Sequence, residues 1–235
     1  MHRISKYVAA FVLLLLAIGV EAQSQQTRRS PMLSSDDLSS PRASRSTVEE
    51  PVVRNEASGT PIRNAREVLE SALTKISEVK SSRARMQMSS AAGQREVFIE
   101  SVKPDRMHVS SPDAEMIAIG RKFYVKTGGG WTVQTAPATS STLDSGFDVR
   151  TFIREMISKG NVRISGKILG SQVVDGVETV AYEFAVTEGS ESGTLRLSVG
   201  KQDGYMRLLS ATGGGIDMMV MFSSLNEPIS IEAPM

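Results

Sequence analysis

His108 is the single histidine beyond residue 22, so any histidine-based chemistry past that point would have to go through it. Met107 and Val109 flank it, which in an alternating strand puts the imidazole on the polar face. A Ser-His-Asp relay also needs a nucleophile held on a sharp turn, and no Gly-x-Ser-x-Gly pattern occurs. No cysteine is present, which removes thiol chemistry, disulfides and thiolate metal sites together. Zinc asks for three or four His, Cys or carboxylate ligands, and neither His nor Cys clusters here. Gly128 to Gly130 and Gly213 to Gly215 are not followed by Gly-Lys-Ser/Thr or by a helix start, so they read as turns rather than phosphate loops. Asp144 and Asp148, one helical turn apart, suit a helix start through its dipole. No catalytic residue, metal or cofactor is expected.

The chemistry that the composition does favour is apolar and adaptable. Met86, Met88, Met107, Met116, Met156, Met206, Met218, Met219 and Met221 all fall inside predicted elements. Methionine has three rotatable bonds and a polarisable sulfur, so a set of them can wall a cavity that accepts alkyl chains of varied shape. The alternative reading of each one is ordinary core. Ile216 to Phe222 is apolar on both faces apart from Asp217, which predicts a strand covered on both sides or a docking surface. Trp131, the one tryptophan, follows three glycines and would either gate a cavity mouth or pack beside a hairpin.

Elements must position these side chains, and the chain supplies them in order. His2, Arg3 and Lys6 precede an apolar run from Val8 to Val20 and a small-residue pattern ending at Ala22. That pattern predicts a signal peptide over 1–22, since the run is shorter than the ~20 residues of a comfortable membrane span. Subtracting Arg3, Lys6 and Glu21 from the totals leaves 25 basic and 25 acidic side chains. A balanced surface offers no basic stripe for nucleic acid. Residues 23–61 are rich in Ser, Pro and Arg and are expected to be a disordered linker, because they cannot bury enough surface to offset chain entropy.

The folded domain is expected over 62–235. Ile62, Ala65, Val68, Leu69, Ala72, Leu73, Ile76 and Val79 recur at spacings of three and four, one stripe of an amphipathic helix, with Thr60 as N-cap and Pro61 at its first position. From Ser82 the period becomes two, as in Ala84, Met86 and Met88 against Arg83, Arg85 and Gln87. Strand follows strand, with Gly120, Asp175-Gly176 and Asp203-Gly204 as turn signals. Phe147, Phe152, Ile153, Met156 and Ile157 predict a second short helix ended by Gly160, and Ile229 to Ile231 a terminal edge strand. The fold class is α+β: a strongly curved antiparallel sheet of about nine to eleven strands, with both helices filling its hollow.

Several local sequences, in this order, carry a resemblance. Lys103-Pro104-Asp105-Arg106 precedes a strand. Ile119-Gly120-Arg121-Lys122-Phe123-Tyr124-Val125 leads to Gly129-Gly130-Trp131. A late strand runs through Phe222-Ser223-Ser224-Leu225-Asn226-Glu227-Pro228 to Ile229-Ser230-Ile231. Over roughly residues 62–235 the chain resembles the LolA/LppX-like superfamily of periplasmic lipoprotein carriers and cell-envelope lipid-binding proteins. The resemblance implies a half-barrel whose concave side, covered by helices, holds lipid or lipoprotein acyl chains in the periplasm or outside the cell. It equally allows an envelope sensor domain of the sigma-factor-regulator type that binds a protein partner. Neither nucleic acid nor a stable membrane span is expected. The side chains expected to line the cavity are Leu69, Leu73, Ile76, Met86, Met88, Val97, Ile99, Met107, Val109, Ile117, Ile119, Phe123, Val125, Trp131, Phe152, Met156, Leu195, Leu197, Met206, Leu208, Met219 and Met221.

Overall fold

A computed structural model of the chain describes residues 59–127, 129–135 and 162–235. Among them are one helix, α1 (Ala65–Ser77), and twelve strands. These are β1 (Thr60–Pro61), β2 (Ser81–Ser90), β3 (Gly93–Val102), β4 (Arg106–Ser110), β5 (Glu115–Ile119), β6 (Lys122–Thr127), β7 (Gly130–Thr135), β8 (Val162–Val174), β9 (Val177–Glu188), β10 (Glu191–Gly200), β11 (Met206–Gly213) and β12 (Ile216–Ser223). They form one antiparallel sheet in the order β1-β8-β9-β10-β11-β12-β2-β3-β4-β5-β6-β7. The sheet is curved and does not close on itself. Most neighbours are hairpin partners. The two non-local joins are β1 with β8 and β12 with β2, and the second makes one surface of the early and late strands.

Tight turns form where the sequence puts them. Asp175 and Gly176 both take positive φ, as a two-residue hairpin between β8 and β9 requires. β8 runs from Val162 to Val174 as one long strand, with the register against β9 shifting between Ile168 and Gly170.

The helix begins later than expected. Thr60 and Pro61 are not its cap and first position; they pair with Ile168 and Lys167 as a short edge strand, and Ile62 N–H donates to the Gly166 carbonyl. Asn64 takes the N-cap position, its side chain donating to Glu67 at 2.8 Å. Proline lacks an N–H and fits a sheet edge as well as a helix start, so the local signal could not separate the two.

The predicted strand at Ile229 to Ile231 does not form. Ser224 and Asn226 adopt left-handed backbone, and Pro228 has no N–H to offer a neighbour. The tail is instead tied down by single bonds. Asn226 N–H donates to the Ser81 carbonyl, Ser81 Oγ donates to Glu227 O at 2.5 Å, and Arg106 donates to Ile231 O at 2.8 Å. The predicted second helix, with Phe152 and Met156, lies outside the described residues, as do segments 1–58 and 136–161.

Helix α1 packs on one face of the sheet, against β8 and β11. Ala65, Leu69, Ala72, Leu73 and Ile76 are buried there, joining Phe184, Leu195, Leu197, Met206 and Leu209 in one continuous core. Each larger helix side chain contributes on the order of 1.5–3 kcal/mol by leaving water, as an upper bound.

Candidate functional site

Register divides the sheet residues into two sets. Met218 pairs with Met88, Met86 with Val97, Ile99 with Val109, Val109 with Met116, and Met116 with Val125. These share the face that carries α1, and the core runs continuously from the helix to Met107, Met116 and Ala118. On the other face stand Arg83, Arg85, Gln87, Glu96, Phe98, Glu100, His108, Glu115, Ile117 and Met219, by the same alternation.

A cavity of about 730 Å³ opens at the rim where the β2–β3, β4–β5 and β11–β12 connections meet. Met88, Val97, Val109, Met116 and Met218 give it an apolar wall from the helix-bearing face. Arg85, Gln87, Ser89, Gln94, Glu96, Glu115, Ser210, Thr212 and Asp217 give it a polar wall, and the 111–114 turn with Asp113 lines it as well. Its volume falls within the roughly 300–1,000 Å³ typical of small-molecule sites.

The polar side is a lattice of cross-strand pairs. Arg85 donates to Glu96 at 2.5 Å, Gln87 donates to the same oxygen at 2.9 Å, and the Arg85 guanidinium lies 5.6 Å from the centre of the Phe98 ring. Arg83 donates to Glu100 at 2.7 Å. His108 is held between two carboxylates, Nδ1 at 3.3 Å from Glu100 and Nε2 at 3.0 Å from Glu115, while Lys126 reaches Glu115 at 3.2 Å. Both ring nitrogens are therefore occupied by structural partners. Among the described residues no three His, Cys, Asp or Glu side chains come together as a metal site requires.

These pairs set an acid limit on stability. Hydrogen bonds from Arg85 and Gln87 hold the Glu96 carboxyl below its usual range, and a hydrogen bond from Arg83 does the same for Glu100. At Glu115 and Glu183 burial pushes upward, but Lys126 with His108, and Lys167 with Arg196, outweigh it. A carboxylate whose pKa is lower in the folded state adds stability above its unfolded pKa and loses it as pH falls through the folded value. Urea midpoints should therefore hold steady from neutrality down to about pH 4.3, the ordinary glutamate value, and decline below it. The decline should shrink in high salt, because the pairs are part-exposed. A midpoint already falling near pH 6 would contradict this.

No family model and no curated protein sequence matches the chain. Solved structures do. LprF from Mycobacterium bovis superposes with a TM-score of 0.52 at 13% identity, over 75% of this chain and 99% of its own. The chain has the LolA/LppX-like fold. The lipoprotein LppX from Mycobacterium tuberculosis matches at a TM-score of 0.47 and 10% identity, covering 71% of this chain and 97% of its own. The MucA/MucB complex of Pseudomonas aeruginosa matches at 0.42 and 15%, covering 71% of this chain and 59% of the other.

Within this LolA/LppX-like fold the described residues among those expected to line a cavity fall into three groups. Met88, Val97, Val109 and Met219 line the cavity described above. Leu69, Leu73, Ile76, Met86, Met107, Leu195, Leu197 and Met206 are buried in the helix–sheet core, with Ile99, Phe123 and Val125 partly buried against it. Ile117, Ile119, Trp131, Leu208 and Met221 belong by register to the face away from the helix, where Lys126 sits 5.5 Å from the Trp131 ring centre. Phe152 and Met156 lie outside the described residues. The expected lining set omitted Met116 and Met218, the apolar positions whose side is decided by pairing with β4 and β2, and the whole polar wall.

Proposed function

We propose that this chain is a non-catalytic carrier of the cell envelope that binds lipid or lipoprotein acyl chains, exported by a signal peptide over 1–22 and tethered through the 23–61 linker to a half-barrel spanning 62–235. The second helix over 147–157 would cover the concave face. The observation that carries the reading is the apolar wall of Met88, Val97, Val109, Met116 and Met218 facing a cavity large enough for a chain. Each methylene buried there contributes about 0.8 kcal/mol, so ten of them outweigh a substantial association cost without any covalent step. The fold shared with LprF suits this reading and the one that follows alike.

A second reading keeps the site and changes the ligand. The polar wall of Gln87, Ser89, Gln94 and Thr212 favours an envelope sensor or interaction domain that binds a protein partner, since spaced polar groups orient a peptide as readily as a lipid head. Mass spectrometry of organic extracts from natively purified mature protein separates the two. Carriage predicts co-purified acyl lipid and saturable binding of a fluorescent fatty acid. Lipid-free protein that ignores the fatty acid but retains one stoichiometric protein partner would overturn carriage and support the sensor.

A further inference from the structure

The helix-bearing face is nearly free of charge where it borders the cavity. From β12 through β2 to β6, every residue that register places on that side is apolar, glycine, serine or threonine, with one exception, Arg95. Arg95 stands across from Met88, and both line the cavity. Its situation differs from that of the cations on the opposite face. Arg83, Arg85 and Lys126 are neutralised by Glu100, Glu96 and Glu115, whereas Arg95 has no ion-pair or hydrogen-bond partner among the described residues.

We infer that the cavity takes an amphiphile with one oxyanion head, carboxylate or phosphate, its alkyl chain against the methionine wall and its head on the Arg95 guanidinium. This rests on the acyl-carrier reading above. The planar guanidinium matches both head groups through paired N–H donors. Because Arg95 is exposed at the rim, it stays hydrated in the empty state, and only the alkyl portion of the ligand need leave water. Four carboxylates also line the cavity, and two of them, Glu96 and Glu115, are ion-paired with Arg85 and with Lys126 on the far face from Arg95. Asp217 pairs with Ser89 and Thr212, on the far face from Arg95, and Asp113 belongs to the 111–114 turn. Asp113 is the one of the four that is neither ion-paired among the described residues nor placed by register on the far face, so it is the carboxylate left to oppose an anionic head.

The test is displacement of a fluorescent fatty acid from delipidated mature protein by four ligands of equal chain length: hexadecanoate, hexadecyl phosphate, hexadecanol and hexadecyltrimethylammonium. The two anions should bind about threefold to tenfold more tightly than the alcohol, as a part-exposed ion pair allows. The quaternary amine should bind most weakly, and the ratio of the anions shows which head the site prefers. Arg95→Gln should erase the preference by bringing anion affinity down to that of hexadecanol, Arg95→Lys should keep part of it, and Asp113→Asn should tighten anion binding. Thermal unfolding of each variant should match the parent, since both side chains are exposed. An alcohol that binds as well as the anions, a preference for the quaternary amine, or a preference that survives Arg95→Gln would overturn the inference and leave the carrier intact. Displacement by inorganic phosphate alone would also overturn it, by placing the anion site outside the alkyl cavity. Failure of all four ligands to bind would sink the carrier and this inference together.

Discussion

Phe184→Ala should lower the free energy of unfolding by about 3–5 kcal/mol, a large share of what a domain of this size holds. The ring is fully buried on β9, with the Tyr182 ring stacked 6.3 Å away. Its position explains why Gly166 faces it. A Cβ on Gly166 would sit 2.9 Å from Phe184 Cδ1 and 3.0 Å from Ala65 Cβ, so the missing side chain makes room for both the ring and the first turn of α1. Removing the ring leaves a void between sheet and helix that neither Gly166 nor Ala65 can fill. Gly166→Val should cost about 1–3 kcal/mol from the opposite cause, overpacking at the same seat. Urea titration followed by far-ultraviolet circular dichroism measures both. A loss under about 1 kcal/mol for Phe184→Ala would mean that the helix does not depend on this contact.

The elements that the sequence makes legible are those governed by local rules. The spacing of Leu69, Ala72, Leu73 and Ile76 predicts the buried stripe of α1, and the alternation of Ala84, Met86 and Met88 predicts the buried side of β2. Pairing between distant strands follows no local rule. Nothing near Met218 announces that it will stand across from Met88, and nothing near Thr60 announces β8. The faces of β5 and β12 illustrate the consequence. Met116-Ile117-Ala118-Ile119 and Met218-Met219-Val220-Met221 are apolar at every position, so period two cannot choose a side. Partners choose it. Met107 and Val109 draw Ala118 and Met116 to the helix side, and Ile117 goes with His108. The charged lattice of Arg85 with Glu96, and of Glu100, His108 and Glu115, was invisible for the same reason, since each pair exists only once the register is set.

That dependence on register makes β12 the sharpest place to test the site. Met218→Asp should weaken binding of a fluorescent fatty acid by about 2 kcal/mol, roughly thirtyfold, because it replaces a side chain worth two to three methylenes of contact with a carboxylate. Met218 lines the cavity and is only half-buried, so the new charge can reach water, and the cost to the fold should stay near the ~1 kcal/mol span of strand propensities. Met221→Asp is the matched control. It lies three residues along the same strand, is equally half-buried, points by register to the other face and does not line the cavity. Its affinity for the fatty acid should remain that of the parent. Hydrophobicity and strand position change alike in the two variants, and only the face differs. Equal losses from both would show that the alkyl chain does not bind on the helix side, and the assignment of the apolar wall would fall with it.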